Sequence, residues 1–190
     1  ENYKKAKGKL FSHLTKMRKK SISNKIIEKI SVINLDDSYA SYFLQFNADK
    51  KIGYGISGSY DIKGVFEIRG RNIDVSSSGS VFEIENTHIH TNLLGLHNVY
   101  NCLAALSVGS ALGFDYSIMS GGLKHVLVPG RMEYIDERQN FRVIVDYAPE
   151  PQGVSKLYET VKLFPKNNII HVLGSCGGGR DKARRQVLGR

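Results

Sequence analysis

Apolar residues recur at intervals of three and four near the N-terminus. Tyr3, Ala6, Leu10, Leu14 and Met17 alternate with Lys4, Lys5, Lys9, Lys16 and Arg18, which predicts a helix from Tyr3 to about Arg18. A short β-branched run at 30–34 (ISVIN) predicts a strand, after which Asp36 or Asp37 caps a helix reaching Phe46. From residue 51 to 90 the texture changes. β-Forming residues alternate or cluster at 52–56, 62–68 and 81–84, separated by Gly, Ser and Asn turns. That pattern predicts an antiparallel meander, which several strands packed on helices would stabilise. Residues 95–113 (GLHNVYNCLAALSVGSALG) are mostly small and apolar and predict a helix suited to close packing on a sheet. Asp115 begins another helix that ends by His125.

The pattern breaks at 126–130 (VLVPG), where Pro129-Gly130 interrupts regular structure. Separate folding units are therefore expected for residues 1–130 and 131–190. In the second unit, 141–146 (FRVIVD) is a strand ending in a carboxylate, and 147–153 (YAPEPQG) is a turn with two prolines. Val154, Leu157, Tyr158, Val161 and Phe164 fall at helical spacing, and 168–173 (NIIHVL) reads as a second strand. That strand runs into GSCGGG at 174–179 and RDKARR at 180–185. Strand, helix, strand, glycine loop and helix start form a βαβ unit. Such a unit sets Asp146 and the glycine loop at the carboxyl ends of parallel strands, the edge where α/β proteins bind ligands. The fold class expected is α/β.

Composition narrows the setting. The 190 residues allow one large domain or two small ones. No stretch approaches the ~18 apolar residues of a membrane helix, and the lysine-rich start lacks the apolar core of a secretory signal. Cys102 and Cys176 have no ligand-like spacing, so a reduced, cytoplasmic setting is expected. The formal net charge of +9 suits an anionic partner. Much of that charge sits in 4–29 and 180–190 without interleaved aromatics, which fits solvated helix faces better than a nucleic-acid groove.

The glycine loop is neither G-x-G-x-x-G nor G-x-x-x-x-G-K-[ST]. It is either a backbone anion nest at a helix start or a flexible connection, and the adjoining Arg180-Asp181-Lys182 favours the nest. Asn98 and Asn101, three apart on one helix face, either read the edge of a nucleobase or cap the helix. His88 and His90 lie on one side of a strand, and without a cysteine or clear acidic partner they read as a surface pair.

Three stretches, in this order and at these intervals, resemble the Mur ligases. They are GRMEY at 130–134, VDYAPEP at 145–151 and GSCGGGRDKARR at 174–185. The family shows G-R-M-E, D-Y-A-H-T-P and G-G-D-R-D-K-x-K-R, and the UDP-N-acetylmuramyl-tripeptide synthetase type is the most similar. Pro149 stands where the family usually has His, Gly179 where it often has Asp, and Arg184 where it has Lys. The run from Glu1 to Phe11 is similar to E-x-Y-x-x-A-K-x-x-L-F, 33–37 (INLDD) also matches, and 97–105 follows H-N-x-x-N-x-x-A-A.

The resemblance implies the later part of a P-loop-type central domain with an antiparallel meander, up to residue 130. The start of a Rossmann-like C-terminal domain would follow from 131. It also implies an ATP- and Mg²⁺-dependent amide ligase. That enzyme would join a diamino acid to UDP-N-acetylmuramoyl-L-alanyl-D-glutamate through an acyl phosphate. Lys7 would be the lysine converted by CO2 to a carbamate beside Mg²⁺, which favours oxygen ligands. Asn98 and Asn101 would lie by the adenine, Arg131 by the phosphates or ribose, and Asp146 at the ribose hydroxyls. Arg180 would face the carboxylate of the incoming amino acid, where a guanidinium binds bidentately. A monomer is expected, with no nucleic-acid partner and no membrane insertion. The family's P-loop is expected before residue 1 and its D-N-P-R motif after residue 190, so the chain is expected to be a piece, inactive alone. The rival readings are a folylpolyglutamate synthase-like ligase, against which G-R-M-E and R-D-K argue, and a basic nucleic-acid-binding module. For Asp36 and Asp37 the helix-cap reading suffices, and no chemistry is assigned to them.

Overall fold

A computed structural model describes residues 2–58, 60–174 and 182–189. The first helix, α1 (Asn2–Lys16), forms as its spacing predicts, but it docks on a different face. Tyr3 and Leu10 are exposed, while Gly8 is buried under the ring of Tyr42 and Phe11 stacks on Phe43 and Phe46 at 4.9 and 6.0 Å. The aromatics of α2 (Ala40–Leu44) and the residues after it select that face. The capping expectation is corrected here. The residue preceding α2 is Tyr39 and no side chain caps the helix. Asp37 instead accepts the Tyr39 N–H in a turn before it (2.8 Å), and Asp36 points elsewhere. Between α1 and α2 lie a small hairpin, β1 (Ser21–Ile22) and β2 (Lys25–Ile26), and then strand β3 (Ile30–Asn34).

The expected meander is half right. β4 (Lys50–Gly55) and β5 (Val65–Arg69) extend β3 into a parallel sheet ordered β3-β4-β5. Only β6 (Arg71–Ser76), β7 (Gly79–Ile84) and β8 (Thr87–Thr91) form an antiparallel sheet. The parallel direction goes with burial on both faces, as parallel sheets require. Alternate residues of β3 enter different cores: Ile30 and Val32 pack toward Ile52 and Ile68, while Ile33 joins Leu35 and Ala40 beneath α1 and α2.

Helix α3 (Leu96–Ala111) joins the two sheets. Its Val99, Cys102, Leu103 and Leu106, at positions i, i+3, i+4 and i+7, are all buried, and they share one core with Ile52, Ile68, Phe82, Ile84 and Ile89. Burial pushes the Cys102 thiol upward, opposed by a hydrogen bond with Thr91, so it behaves as a core residue. Helix α4 (Tyr116–Leu123) covers β8 and the end of α3. The turn into β7 needs Gly79, whose φ is 141° and whose Cβ position is occupied by the Thr91 carbonyl.

Beyond Gly130, β9 (Glu133–Ile135) and β10 (Val143–Val145) pair antiparallel, and α5 (Pro151–Val161) starts with its proline in the first turn. The second strand expected at 168–173 does not form. Ile170 and Val172 are 92% and 93% exposed, and a β-run without a partner strand leaves its backbone groups to water. The βαβ unit is therefore not closed among the described residues. Helix α6 (Lys182–Leu188) follows. No helix among the described residues is long and apolar enough to cross a membrane.

Candidate functional site

The GRME stretch explains itself in local geometry. Gly130 and Met132 both adopt left-handed backbone, at φ 70° and 49°, and the resulting tight turn leaves two N–H groups facing inward. The Glu133 carboxylate folds back to accept the Gly130 N–H (2.7 Å), and Asp146 accepts the Met132 N–H (2.8 Å). Pairing of Val145 with Glu133 brings Asp146 to that place. The Tyr147 N–H closes the turn on the Gly130 carbonyl at 2.8 Å. Arg131 is thereby turned outward. Its guanidinium lies 4.8 Å from the centre of the Tyr147 ring and donates to the Tyr147 carbonyl. A cation stacked on a ring and held by a carbonyl is pre-oriented for an anion. Glu133 and Tyr147 carry this arrangement, yet neither stood out as a site residue in the sequence. The signal was available in the fixed order G-R-M-E followed by D-Y.

The start of α3 lies alongside α5, with Gly95 against the Thr160 hydroxyl. His97 is half-buried there. Burial holds its imidazole below the ordinary histidine range; Asp146 and Glu159 pull the other way and Lys156 reinforces the shift. The next residue, Asn98, is buried and donates to the Leu94 carbonyl at 2.8 Å. Its own carbonyl oxygen accepts from exposed Asn101 at 3.0 Å. The two amides thus form a connected pair rather than separate caps. A cavity of about 540 Å³ opens between the segment before α3 and the β9–β10 pair, walled by Asn92, Leu94, Arg131, Met132, Arg142 and Phe164 among others.

The structure therefore brings Arg131 together with Asp146 at one turn, and Asn98 together with Asn101 on α3. Lys7 stands apart on α1, exposed, its ammonium 5.2 Å from the centre of the Tyr3 ring. Arg180 and the glycine loop from 175 lie outside the described residues. His88 and His90 point to the exposed side of β8, where His88 meets Glu83 at 3.2 Å. Among the described residues no group of three His, Cys, Asp or Glu could hold a metal.

Comparison with known proteins decides the family. The model of the Mur ligase middle domain matches residues 1–109, and that of the Mur ligase glutamate ligase domain matches 130–190. This chain belongs to the Mur ligase family. Curated relatives include the UDP-N-acetylmuramoyl-L-alanyl-D-glutamate–2,6-diaminopimelate ligase of Geobacillus thermodenitrificans, 38% identical over 99% of this chain and 37% of that protein. The protein of the same name from Bacillus cereus is 34% identical, again over 99% of this chain and 37% of its own length. The chain thus spans little more than a third of the curated Mur ligases it matches. A solved structure of a UDP-N-acetylmuramoyl-L-alanyl-D-glutamate–2,6-diaminopimelate ligase superposes over 98% of this chain with a TM-score of 0.63 at 27% identity. The mixed α/β class and the family resemblance read from the motifs are both upheld.

Proposed function

We propose that this chain, within a longer polypeptide, forms the nucleotide-facing part of a cytoplasmic, monomeric ATP-dependent ligase. The ligase adds a diamino acid to UDP-N-acetylmuramoyl-L-alanyl-D-glutamate. The observation that carries this reading is the carboxylate-latched turn at 130–133, which turns Arg131 outward, where it lines one cavity with Asn92 and Leu94 of the segment before α3. In this reading Arg131 binds phosphate or ribose oxygens. Asp146 keeps one carboxylate oxygen on the Met132 amide and offers the other to ribose hydroxyls. Asn98 and Asn101 meet the adenine edge. Phosphoryl transfer from ATP to the glutamyl carboxylate gives an acyl phosphate, the amine attacks its carbonyl carbon, and phosphate leaves. Such chemistry relies on positioning and charge stabilisation more than on covalent catalysis.

Among the described residues, the point proposed for Mg²⁺ is Lys7. Lys7 is exposed, so a carboxyl group can be added to its amine without a clash. The carbamate would give the ion oxygen donors, with nucleotide phosphates and water completing the shell. Mg²⁺, when bound, neutralises phosphate charge. Arg180 is proposed for the carboxylate of the incoming amino acid. Residues 1–130 and 131–190 are proposed as parts of the central and C-terminal domains. Limited proteolysis is expected to nick near Pro129 first, and first cuts inside β3–β8 would count against that boundary.

The test is an assay of the protein extended to the length of its relatives. Phosphate release should require ATP, Mg²⁺, the UDP-linked dipeptide and a diamino acid together, and the 190-residue chain alone should release none. Release without the UDP-linked dipeptide, or salt-sensitive binding of RNA with none of nucleotide, would overturn the reading.

A further inference from the structure

Asp36, which reads in sequence as a helix cap, is a hub. It follows Leu35 at the carboxyl end of β3. Its Oδ2 accepts the Ile56 N–H at 2.7 Å, the Ser57 N–H at 3.4 Å and the Tyr100 hydroxyl at 2.8 Å. Oδ1 accepts the Tyr60 hydroxyl. The Asp36 N–H is itself held by Asn34 Oδ1 at 3.0 Å. One carboxylate therefore joins three separate pieces: the end of β3, the loop leaving β4, and the second turn of α3. The fit is close, since a Cβ on Gly55 would lie 2.9 Å from both Asp36 Oδ2 and the Tyr60 hydroxyl. Hydrogen bonds to an ionised acceptor are about twice as strong as neutral ones. The Tyr100 bond spans 64 positions of chain, so it fixes tertiary placement rather than local shape.

Tyr100 sits between the two asparagines, next to Asn101 and two residues after Asn98. We propose that Asp36 is a positioning residue for the nucleotide edge: through Tyr100 it sets the rotation and height of the start of α3 over the ends of β3 and β4. The amides of Asn98 and Asn101 are thereby held in place for the base. This rests on the reading that those asparagines face the adenine. The phenol stays a donor across the working pH range, because burial, followed by the hydrogen bond to Asp36 and its charge, pushes it up to about 12.

The test uses the full-length ligase with each substrate varied in turn. Tyr100→Phe removes one hydroxyl and leaves the ring. It is expected to raise the KM for ATP about tenfold, with the KM values of the UDP-linked dipeptide and the diamino acid changed less than about twofold and the protein still folding cooperatively. Tyr60→Phe removes a hydroxyl from the same carboxylate but not from α3, and should leave the KM for ATP within about twofold. Asp36→Asn should match or exceed Tyr100→Phe; if it does not fold, the two tyrosine variants decide the matter. An unchanged KM for ATP in folded Tyr100→Phe would overturn the inference. So would an equal rise in Tyr60→Phe, which would make Asp36 a general structural knot. A wild-type enzyme that does not use ATP would instead overturn the parent reading, and with it this role.

Discussion

Replacing Lys7 by alanine in the full-length ligase is expected to lower turnover about 100- to 1000-fold, the range seen when one strong transition-state electrostatic contact is removed. A free ammonium near a divalent cation is repelled: two unit charges 4 Å apart interact by about 4 kcal/mol at an effective dielectric of 20, and the cation carries two. Carboxylation reverses the sign and supplies two oxygens. The exposed position of Lys7 on α1 leaves room for that modification. Two controls separate this role from that of one more cation on a basic helix. Lys7→Arg keeps the charge but cannot form the carbamate, so it should be as slow as Lys7→Ala. Formate or acetate should restore part of the Lys7→Ala rate by replacing the missing oxygens. Near-normal turnover in Lys7→Arg, with no response to carboxylates, would remove Lys7 from the mechanism.

The largest stability effect is expected at Phe82, which is wholly buried where β7 meets α3. Phe82→Ala should cost about 3–5 kcal/mol, the lost transfer energy plus the cavity left behind. Against the ~5–15 kcal/mol that holds a typical domain together, that loss unfolds much of the population. Urea titration of the purified chain followed by circular dichroism would read it as a drop in midpoint at an unchanged slope. A cost below about 1 kcal/mol would mean that the core around Ile84, Ile89 and Leu103 closes over the gap, or that the two sheets do not share it.

What the sequence by itself determined is local or repeated in pattern. α3 was legible because residues 95–113 are small and apolar over a helix-length run, and that signal does not depend on the rest of the chain. β3 was legible as a short β-branched run between polar residues. The GRME and DYAPEP stretches were legible as a family pattern. The structure then supplied the reason for that pattern: two left-handed backbone positions and two N–H groups that need carboxylates.

Tertiary structure decided what depends on a distant partner. The direction of β4 against β5 could not be read from β-forming residues, because parallel and antiparallel strands draw on the same types. What differed was burial on both faces. The apolar residues that predicted α1 are not all the ones that dock it, since α2 chose the face. Residues 168–173 have strand composition and no partner strand among the described residues, and composition alone does not satisfy a backbone hydrogen bond. Asp36 is the clearest case. In sequence it is an aspartate before a helix, and only the fold brings Tyr60 and Tyr100 to it, 24 and 64 positions away. A short-range pattern cannot encode an acceptor whose donors come from elsewhere in the chain.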